Sequence, residues 1–333
     1  DRSVSRGLGD VYKRQIWRDV QMETRAIVIE EYGHADQLKE SRVTLPELGA
    51  HQVLVKVKAT SVNPIDWKLR EGYLAQMMPW EFPIILGWDV AGEIVAVGSE
   101  VQDWQVGQAV FARPETTRFG TYADYTIVDD HLLAKKPDSV SFEDAAAVPL
   151  AGLTAYQALF THGKLKAGER VLIHAGAGGV GIYAIQLAKN AGAFVITTAS
   201  EKNHKLLKEL GADQVIDYHT TDFSEVLEDV DLVFDTMGGD IQKASFEVLN
   251  PKGRLISVVD QPDEELAKNI AVAKSIWLQP DGKQLQVIAD LMEAGKVKSI
   301  VGHTYPLTAE GVKAAHELSA THHAKGKIVL VNE

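Results

Sequence analysis

The chain has 333 residues, of which 45% are hydrophobic and 24% charged, and its formal net charge is −12. This profile is typical of a soluble globular protein large enough for two domains. The acidic balance argues against a nucleic-acid partner, and no apolar run reaches the roughly 18 residues of a membrane span. The sequence has no cysteine, which excludes disulfides, thiolate-held metals and a cysteine nucleophile and fits the cytoplasm, where we expect the protein.

The first 21 residues differ in character from the rest. They contain several basic residues but no apolar segment of the kind found in a secretory signal. Met22 is the first methionine, and a strand-like run begins directly after it at Glu23. We therefore expect residues 1–21 to be an extension outside the domains.

From residue 26 to residue 130 the patterns are those of short strands. Segments rich in β-branched residues are separated by glycine and proline turns, which predicts a compact, barrel-like β domain. The strand candidates are residues 53–59, 90–98, 108–112 and 122–128.

After about residue 145, strands and helices alternate. Such alternation predicts parallel crossover units and a doubly wound sheet. The strand candidates are residues 171–174, 194–198, 214–218, 232–235, 254–259 and, at the end of the chain, 327–331. The helix candidates are residues 180–191, 202–210, 285–293 and 309–319.

The strongest motif is a glycine-rich loop that matches G-x-G-x-x-G, directly after an apolar strand and at the start of a helix. In such a loop the first glycine permits the tight turn, the second lets a pyrophosphate approach, and the third allows helix and strand to pack closely. The alternative is a glycine-rich turn without a ligand. We predict a dinucleotide site formed by Gly176, Ala177, Gly178, Gly179, Val180 and Gly181.

The residues after the second strand of this unit bear on the choice of cofactor. NAD enzymes place a carboxylate at that strand end, on the ribose hydroxyl. Here Ser200 and Lys202 are predicted to donate to a 2′-phosphate, with Tyr218 beside them, so we expect NADPH. An inward-turned Glu201 would favour NADH, and Lys202 is otherwise an ordinary exposed lysine.

Five segments in this order resemble one family. They are residues 61–72 (SVNPIDWKLREG), 83–92 (PIILGWDVAG) and 151–156 (AGLTAY), the glycine loop, and 326–330 (GKIVL). The combination resembles the medium-chain dehydrogenase/reductase superfamily and, within it, the zinc-free quinone oxidoreductases related to ζ-crystallin. The resemblance implies an α/β protein with a GroES-like β-barrel domain and a Rossmann domain, a nicotinamide cleft between them, and a homodimer.

The resemblance also implies a division of the chain. Residues 22–148 would form the first part of the catalytic domain, 149–280 the Rossmann NADP-binding domain, and 281–333 a return segment that completes the catalytic domain. In zinc-dependent relatives a Cys and a His hold the catalytic metal at the positions that are Asn63 and Trp88 here. We therefore predict no metal site, and without this Lewis acid alcohol oxidation is disfavoured.

The function implied is hydride transfer from NADPH to a quinone or a related α,β-unsaturated carbonyl. One alternative is a double-bond reductase for enones or alkenals. The other is an NADPH-binding structural or regulatory protein with little turnover.

The candidate catalytic residues each have a structural alternative. Asn63 is predicted to bind the acceptor carbonyl or the nicotinamide, or else to begin a turn, and Asp66 to act in catalysis or to cap a helix. Tyr73 would place its hydroxyl in the cleft or pack on a loop, and Trp88 would line an apolar acceptor pocket or belong to the core. Thr154 would face the nicotinamide or cap a helix.

Overall fold

The computed structural model describes residues 22–333. The predicted extension, residues 1–21, lies outside the described residues. Within residues 22–333, no helix is both long enough and apolar enough to cross a bilayer.

The described residues form sixteen strands. They are β1 Glu23–Ile29, β2 Lys39–Thr44, β3 Gln52–Val62, β4 Ile84–Ile85, β5 Val90–Val97, β6 Ala109–Ala112, β7 Tyr125–Asp129, β8 Leu133–Lys135, β9 Arg170–Ile173, β10 Phe194–Thr198, β11 Gln214–Ile216, β12 Val230–Asp235, β13 Leu249–Ser257, β14 Val272–Ser275, β15 Val301–Pro306 and β16 Lys327–Val331.

The α-helices lie mostly in the second half of the chain. They are α1 Pro64–Arg70, α2 Phe142–Ala146, α3 Pro149–Tyr156, α4 Gly181–Asn190, α5 His204–Glu209, α6 Phe223–Val226, α7 Gly239–Val248, α8 Glu264–Ala267, α9 Gly282–Glu293 and α10 Ala309–Ala320.

The β domain is built around the long strand β3. Its β-branched residues alternate toward a buried face, and β3 pairs antiparallel with β5, β7 and β16 in one seven-stranded sheet. A second sheet of three strands has the order β2-β1-β4. Because β15 and β16 join the β3 sheet, the end of the chain lies beside its first third.

The third sheet has six strands, all parallel, in the order β11-β10-β9-β12-β13-β14. Its central strands β9, β10 and β12 are almost completely buried, as expected for strands that carry helices on both faces. The order confirms the predicted doubly wound Rossmann sheet. It reverses between β9 and β12, and ligands bind at the carboxyl ends of strands at such a point.

Some element boundaries differ from those predicted. The strand predicted over residues 122–128 begins at Tyr125, because Tyr122 instead bonds outward to two other segments: its N–H donates to Leu86 O, and its carbonyl accepts from Ile27 N. The helix predicted over residues 202–210 begins with a 3-10 turn at Glu201–Asn203.

Candidate active site

The glycine loop lies at the sheet reversal, between β9 and α4. A Cβ atom on Gly176 would lie 2.2 Å from Thr197 Oγ1, and one on Gly181 would lie 2.4 Å from the carbonyl oxygen of Ala175. Neither position has room for a side chain. A Cβ on Gly178 would meet only the Ala175 oxygen, at 3.2 Å, so the outer side of Gly178 is open for another molecule.

The same loop presents free donors to that open side. Among residues 22–333, no acceptor bonds to the backbone N–H of Gly179 or of Val180. The ten-residue helix α4 begins immediately afterwards, so the positive end of its dipole adds positive potential at the open side of the loop. These residues fit the pyrophosphate of a dinucleotide.

The predicted phosphate pocket lies at the end of β10. The Ser200 and Tyr218 hydroxyl oxygens are 3.2 Å apart, so the structure brings these two predicted residues together. Tyr218 is exposed, and so are Glu201 and Lys202 in the turn after Ser200. This arrangement leaves two hydroxyls and one flexible cation at the strand end, with the Glu201 carboxylate in solvent.

Asn63 is held at both ends of its carboxamide. Its Nδ2 donates to Asp89 Oδ2 at 2.7 Å, and its Oδ1 accepts from Lys327 Nζ. Asn63 is 2% exposed and lies directly before α1 in an extended conformation. It therefore also has a structural role at the start of this helix. One Nδ2 hydrogen is left for a bound acceptor or cofactor.

Asp89 was missed by the sequence analysis, although it is the centre of this cluster. Besides the Asn63 bond, its carboxylate accepts from Ser61 Oγ at 2.7 Å and from the Leu150 backbone N–H at 2.9 Å. Asp89 therefore joins the end of β3 and the start of α1 to the start of α3. A signal existed, since an acidic residue inside the apolar segment 83–92 needs buried partners.

Asp66 is fully buried and only half satisfied. Its Oδ2 accepts from the Asn63 backbone N–H at 2.9 Å and from the Tyr122 hydroxyl at 2.8 Å, whereas Oδ1 has no partner among the described residues. Burial raises the pKa of the Asp66 carboxyl to about 7, against the lowering effect of those two hydrogen bonds and of Arg113. Asp66 thus supports the helix start, and its burial holds the pKa of its carboxyl well above the usual range.

Two buried cations complete the cluster, and neither was predicted. Arg113 donates from Nη2 to Thr116 Oγ1 at 3.2 Å, while its Nε and Nη1 have no partner within residues 22–333. Lys327 Nζ also donates to Val62 O at 3.3 Å. Burial lowers the pKa of both cations, and the nearby carboxylates oppose this effect.

Comparisons with known proteins agree with this architecture. Residues 49–138 match the alcohol dehydrogenase GroES-like domain, and residues 210–330 match the zinc-binding dehydrogenase family. The chain is 34% identical over 314 residues to a chloroplast envelope quinone oxidoreductase homologue of Arabidopsis thaliana, covering 90% of this chain and 95% of that protein.

Two further comparisons point the same way. An NADPH-dependent alkenal/one oxidoreductase of the same plant is 35% identical, with 92% of this chain and 79% of that protein covered. The structure of the quinone oxidoreductase from Coxiella burnetii superposes with a TM-score of 0.85 at 36% identity, covering 93% of this chain and 99% of that chain.

The chain belongs to the medium-chain dehydrogenase/reductase superfamily, in its quinone oxidoreductase branch. Medium-chain reductases of this branch are oxidoreductases that use a nicotinamide dinucleotide, and this chain is such an enzyme. The predicted family and the GroES-like plus Rossmann fold class are therefore confirmed.

In this medium-chain reductase the other predicted site residues have different surroundings. Trp88 is completely buried, packs in the β-domain core and donates its indole N–H to Thr117 O at 2.9 Å. Tyr73 is 70% exposed and lies edge-on to Trp67. The capping alternative for Thr154 is wrong, because α3 begins at Pro149 and Thr154 lies in its last turns, where it is 7% exposed.

The histidine before the glycine loop is a core residue. His174 Nε2 lies 2.8 Å from Ser245 Oγ, and burial lowers the pKa of His174 to about 4. A neutral, enclosed imidazole of this kind supports β9 and has no access to a substrate.

Within residues 22–333, no three His, Cys, Asp or Glu side chains lie together in a way that would hold a metal ion. At the position of the zinc-ligating cysteine, the Asn63 carboxamide is occupied by Asp89 and Lys327. An amide beside a lysine ammonium is not a zinc ligand set.

Proposed function

We propose that this enzyme is an NADPH-dependent, zinc-independent reductase that transfers hydride to small quinones or related α,β-unsaturated carbonyls. One observation carries the proposal: the glycine loop adjoins the buried polar cluster. A Cβ on Gly179 would lie 3.0 Å from Lys327 Cδ, and Gly326 N donates to Ala177 O at 3.2 Å. A dinucleotide bound on the loop would therefore lie next to the buried cluster that contains Asn63.

The cofactor would be held by the loop N–H groups at its pyrophosphate and by Ser200, Lys202 and Tyr218 at its 2′-phosphate. When bound, NADPH supplies the hydride. Thr154 lies close to the entry of the nucleotide domain and is proposed to contact the nicotinamide.

The chain's own residues would position the acceptor and exclude water. The free Nδ2 hydrogen of Asn63 is proposed to donate to the acceptor carbonyl. Trp88 would form the apolar wall behind it, and Tyr73 would contribute its exposed hydroxyl at the entrance. A quinone or enone is already activated, so it needs no Lewis acid to accept hydride.

A double-bond reductase for enones or alkenals is the second candidate. The 35% identity to an NADPH-dependent alkenal/one oxidoreductase favours it. The two activities need the same cofactor site and differ only in the acceptor.

We also propose that the enzyme acts in the cytoplasm as a homodimer on a small molecule, without a nucleic-acid or membrane partner. The net charge of −12 supports the exclusion of nucleic acid. The proposed domain division is residues 22–148, 149–280 and 281–333, and the pairing of β16 with β3 supports the return of the last segment.

The purified enzyme is expected to oxidise NADPH in the presence of 9,10-phenanthrenequinone or of a 2-alkenal, measured as loss of absorbance of the reduced cofactor. The ratio of kcat/KM for the two acceptors separates the two candidates. Turnover that survives a chelator supports zinc independence. Cofactor binding without turnover of either acceptor would contradict the proposal.

Lys202→Ala is expected to weaken the binding of NADPH but not the binding of NADH. Removing the cation proposed to bind the 2′-phosphate should raise the KM for NADPH at least tenfold, since a charged hydrogen bond contributes about 1.5–3 kcal/mol. The KM for NADH should not change. The exposed Lys205→Ala is the matched control, and an unchanged KM for NADPH in Lys202→Ala would contradict the phosphate assignment.

A further inference from the structure

Four side chains form a buried hydrogen-bond chain beside the proposed acceptor site. Arg70 Nη1 lies 3.0 Å from His316 Nδ1, and His316 Nε2 lies 3.0 Å from the Tyr122 hydroxyl oxygen. That hydroxyl lies 2.8 Å from Asp66 Oδ2. None of the four residues is more than 4% exposed, so water does not compete for these bonds.

The chemistry of the four groups gives this chain a direction. A guanidinium can only donate, so His316 Nδ1 accepts and the neutral imidazole carries its hydrogen on Nε2. Burial lowers the pKa of His316 to about 3, which agrees with a neutral ring. His316 therefore donates to the Tyr122 oxygen, and Tyr122 donates to Asp66. Every donor in the chain points toward the carboxyl.

This direction leaves one Asp66 oxygen free. Oδ2 is occupied by Tyr122 and by the Asn63 N–H, whereas Oδ1 is buried without a partner. The Nε and Nη1 atoms of Arg113 are also buried without partners within the described residues. An unsatisfied buried polar atom costs about 1–3 kcal/mol, and more for a charged group, so a native structure retains such atoms for a ligand, water or chemistry.

We propose that Arg113 and Asp66 join Asn63 in forming the site for the carbonyl oxygen of the acceptor, with Arg113 and Asn63 donating hydrogen bonds to the oxygen and Asp66 protonating it from Oδ1. Tyr122, His316 and Arg70 are positioning residues that hold Asp66 for this step. The inference rests on the proposed function and names the acid that completes it.

The step balances in protons and electrons. As hydride reaches the electrophilic carbon, an electron pair of the conjugated carbonyl moves onto its oxygen, where the Arg113 N–H groups stabilise the charge. The O–H bond of Asp66 breaks, and an O–H bond forms on the acceptor, giving a neutral enol. From a quinone this enol is a keto tautomer of the hydroquinone, which forms when the carbon that received hydride loses a proton to water and the second oxygen gains one from water. The resulting Asp66 carboxylate keeps its bonds from Tyr122 and Asn63 until it regains a proton from water.

The surroundings select a flat acceptor. The Arg113 guanidinium carbon lies 5.8 Å from the centre of the Trp88 ring. A conjugated carbonyl seated on Arg113 would therefore have this ring beside it, and planar quinones and enones fit such a wall. Because Trp88 is buried, entry of the acceptor requires neighbouring side chains to move.

Several ionisable groups surround Asp66 and set its proton affinity. They are Tyr122, Asp89 before β5, Arg113 after β6 and Lys327 in β16, together with Arg70 and His316 at the other end of the hydrogen-bond chain. Asp66 acts as an acid only while protonated, and its pKa is raised to about 7. Turnover should therefore fall as the pH rises through about 7.

The test measures the pH dependence of kcat for an enone with NADPH. Asp66→Asn should lower kcat by a factor of about 10²–10⁴, the usual contribution of a general acid. It should also abolish the limb of the pH profile near neutral pH, which is the fall in kcat as the pH rises through about 7. Tyr122→Phe removes a donor to the carboxylate, and Arg113→Met removes a cation, so both should move the midpoint to higher pH. Arg113→Met should also lower kcat by about 10²–10³.

The matched control is Tyr183→Phe. It removes another fully buried tyrosine hydroxyl, which belongs to helix α4 and lies 2.8 Å from Ser299 Oγ. Tyr183→Phe is expected to leave the pH midpoint unchanged. If Asp66→Asn does not fold, the other two variants decide, and midpoints equal to that of the wild type overturn the proposal.

A second readout needs no substrate. Infrared difference spectra should show a carboxyl band of the wild type that titrates near neutral pH and is absent from Asp66→Asn. A limb that persists in folded Asp66→Asn overturns the Asp66 assignment alone. Absence of wild-type turnover overturns the proposed function instead, and the infrared band still reports whether Asp66 takes up a proton.

Discussion

Gly181→Ala is expected to lose both cofactor affinity and stability. The added Cβ would lie 2.4 Å from Ala175 O and 2.7 Å from Gly176 Cα, and these backbone atoms can yield only if α4 moves away from β9. Overpacking of this kind costs about 1–3 kcal/mol. The movement displaces the Gly179 and Val180 N–H groups, so the Kd for NADPH should rise at least tenfold. Cofactor fluorescence and thermal unfolding measure the two effects.

Gly178→Ala is the matched comparison for this prediction. A Cβ there would meet one atom, the Ala175 oxygen at 3.2 Å, which needs to shift by only a few tenths of an ångström, so the melting temperature should fall much less than in Gly181→Ala. The methyl group would occupy the open side where a pyrophosphate approaches, so NADPH affinity should fall. Gly181→Ala with wild-type stability and affinity would show that the helix is not held as close to the strand as the structure indicates.

The sequence was informative wherever local pattern determines structure. The segment from β9 to β12 alternates apolar strands with amphipathic helices, and the glycine loop fits its predicted place between β9 and α4. The strands β2, β4, β8, β14 and β15 were not predicted. β4 has two residues, and β14 and β15 consist largely of half-buried or exposed residues without a run of buried apolar side chains. Such strands depend on their neighbours in the sheet.

The buried charge cluster could not be predicted for a different reason. Its members come from distant parts of the chain and meet only through strand pairing. Ile328 pairs with Val62 across β16 and β3, and this register brings Lys327 to Asn63, 264 positions away. Arg70 and His316, 246 positions apart, meet through the packing of α10 on α1. Single-sequence patterns carry no information about such contacts.

Sequence patterns predict the surroundings of the cofactor pocket better than those of the buried charge cluster. Ser200, Lys202 and Tyr218 were chosen because they follow adjacent strands, whose carboxyl ends meet at one edge of the sheet. Asp66 was chosen as a possible helix cap or catalytic residue, with no role as an acid assigned. In the structure its two carboxylate oxygens have different surroundings, since Oδ2 accepts hydrogen bonds and Oδ1 has no partner among the described residues. That difference depends on Tyr122, whose neighbours are fixed only in three dimensions.

Asp89→Leu is expected to be the most destabilising of the single substitutions considered. It leaves Ser61 Oγ, Asn63 Nδ2 and the Leu150 N–H without their acceptor. It also removes one of the carboxylates that oppose the burial of the cations Arg113 and Lys327, and leaves Lys327 with Asp66, whose own pKa is raised to about 7. Breaking a buried charge cluster by removing one partner costs about 3–5 kcal/mol, which urea unfolding measures.

Two further variants separate charge from shape at this position. Asp89→Asn keeps one carbonyl acceptor and the volume but removes the charge, so its loss of unfolding free energy should be smaller than that of Asp89→Leu. Asp213→Asn is the control, because Asp213 also accepts a backbone N–H and a lysine but is partly exposed, where such pairs contribute up to about 1 kcal/mol. Equal losses for Asp89→Leu and Asp213→Asn would mean that the buried cluster does not join the two domains energetically. A much larger loss for Asp89→Leu would identify this carboxylate as the point where the acceptor site and the nucleotide domain depend on each other.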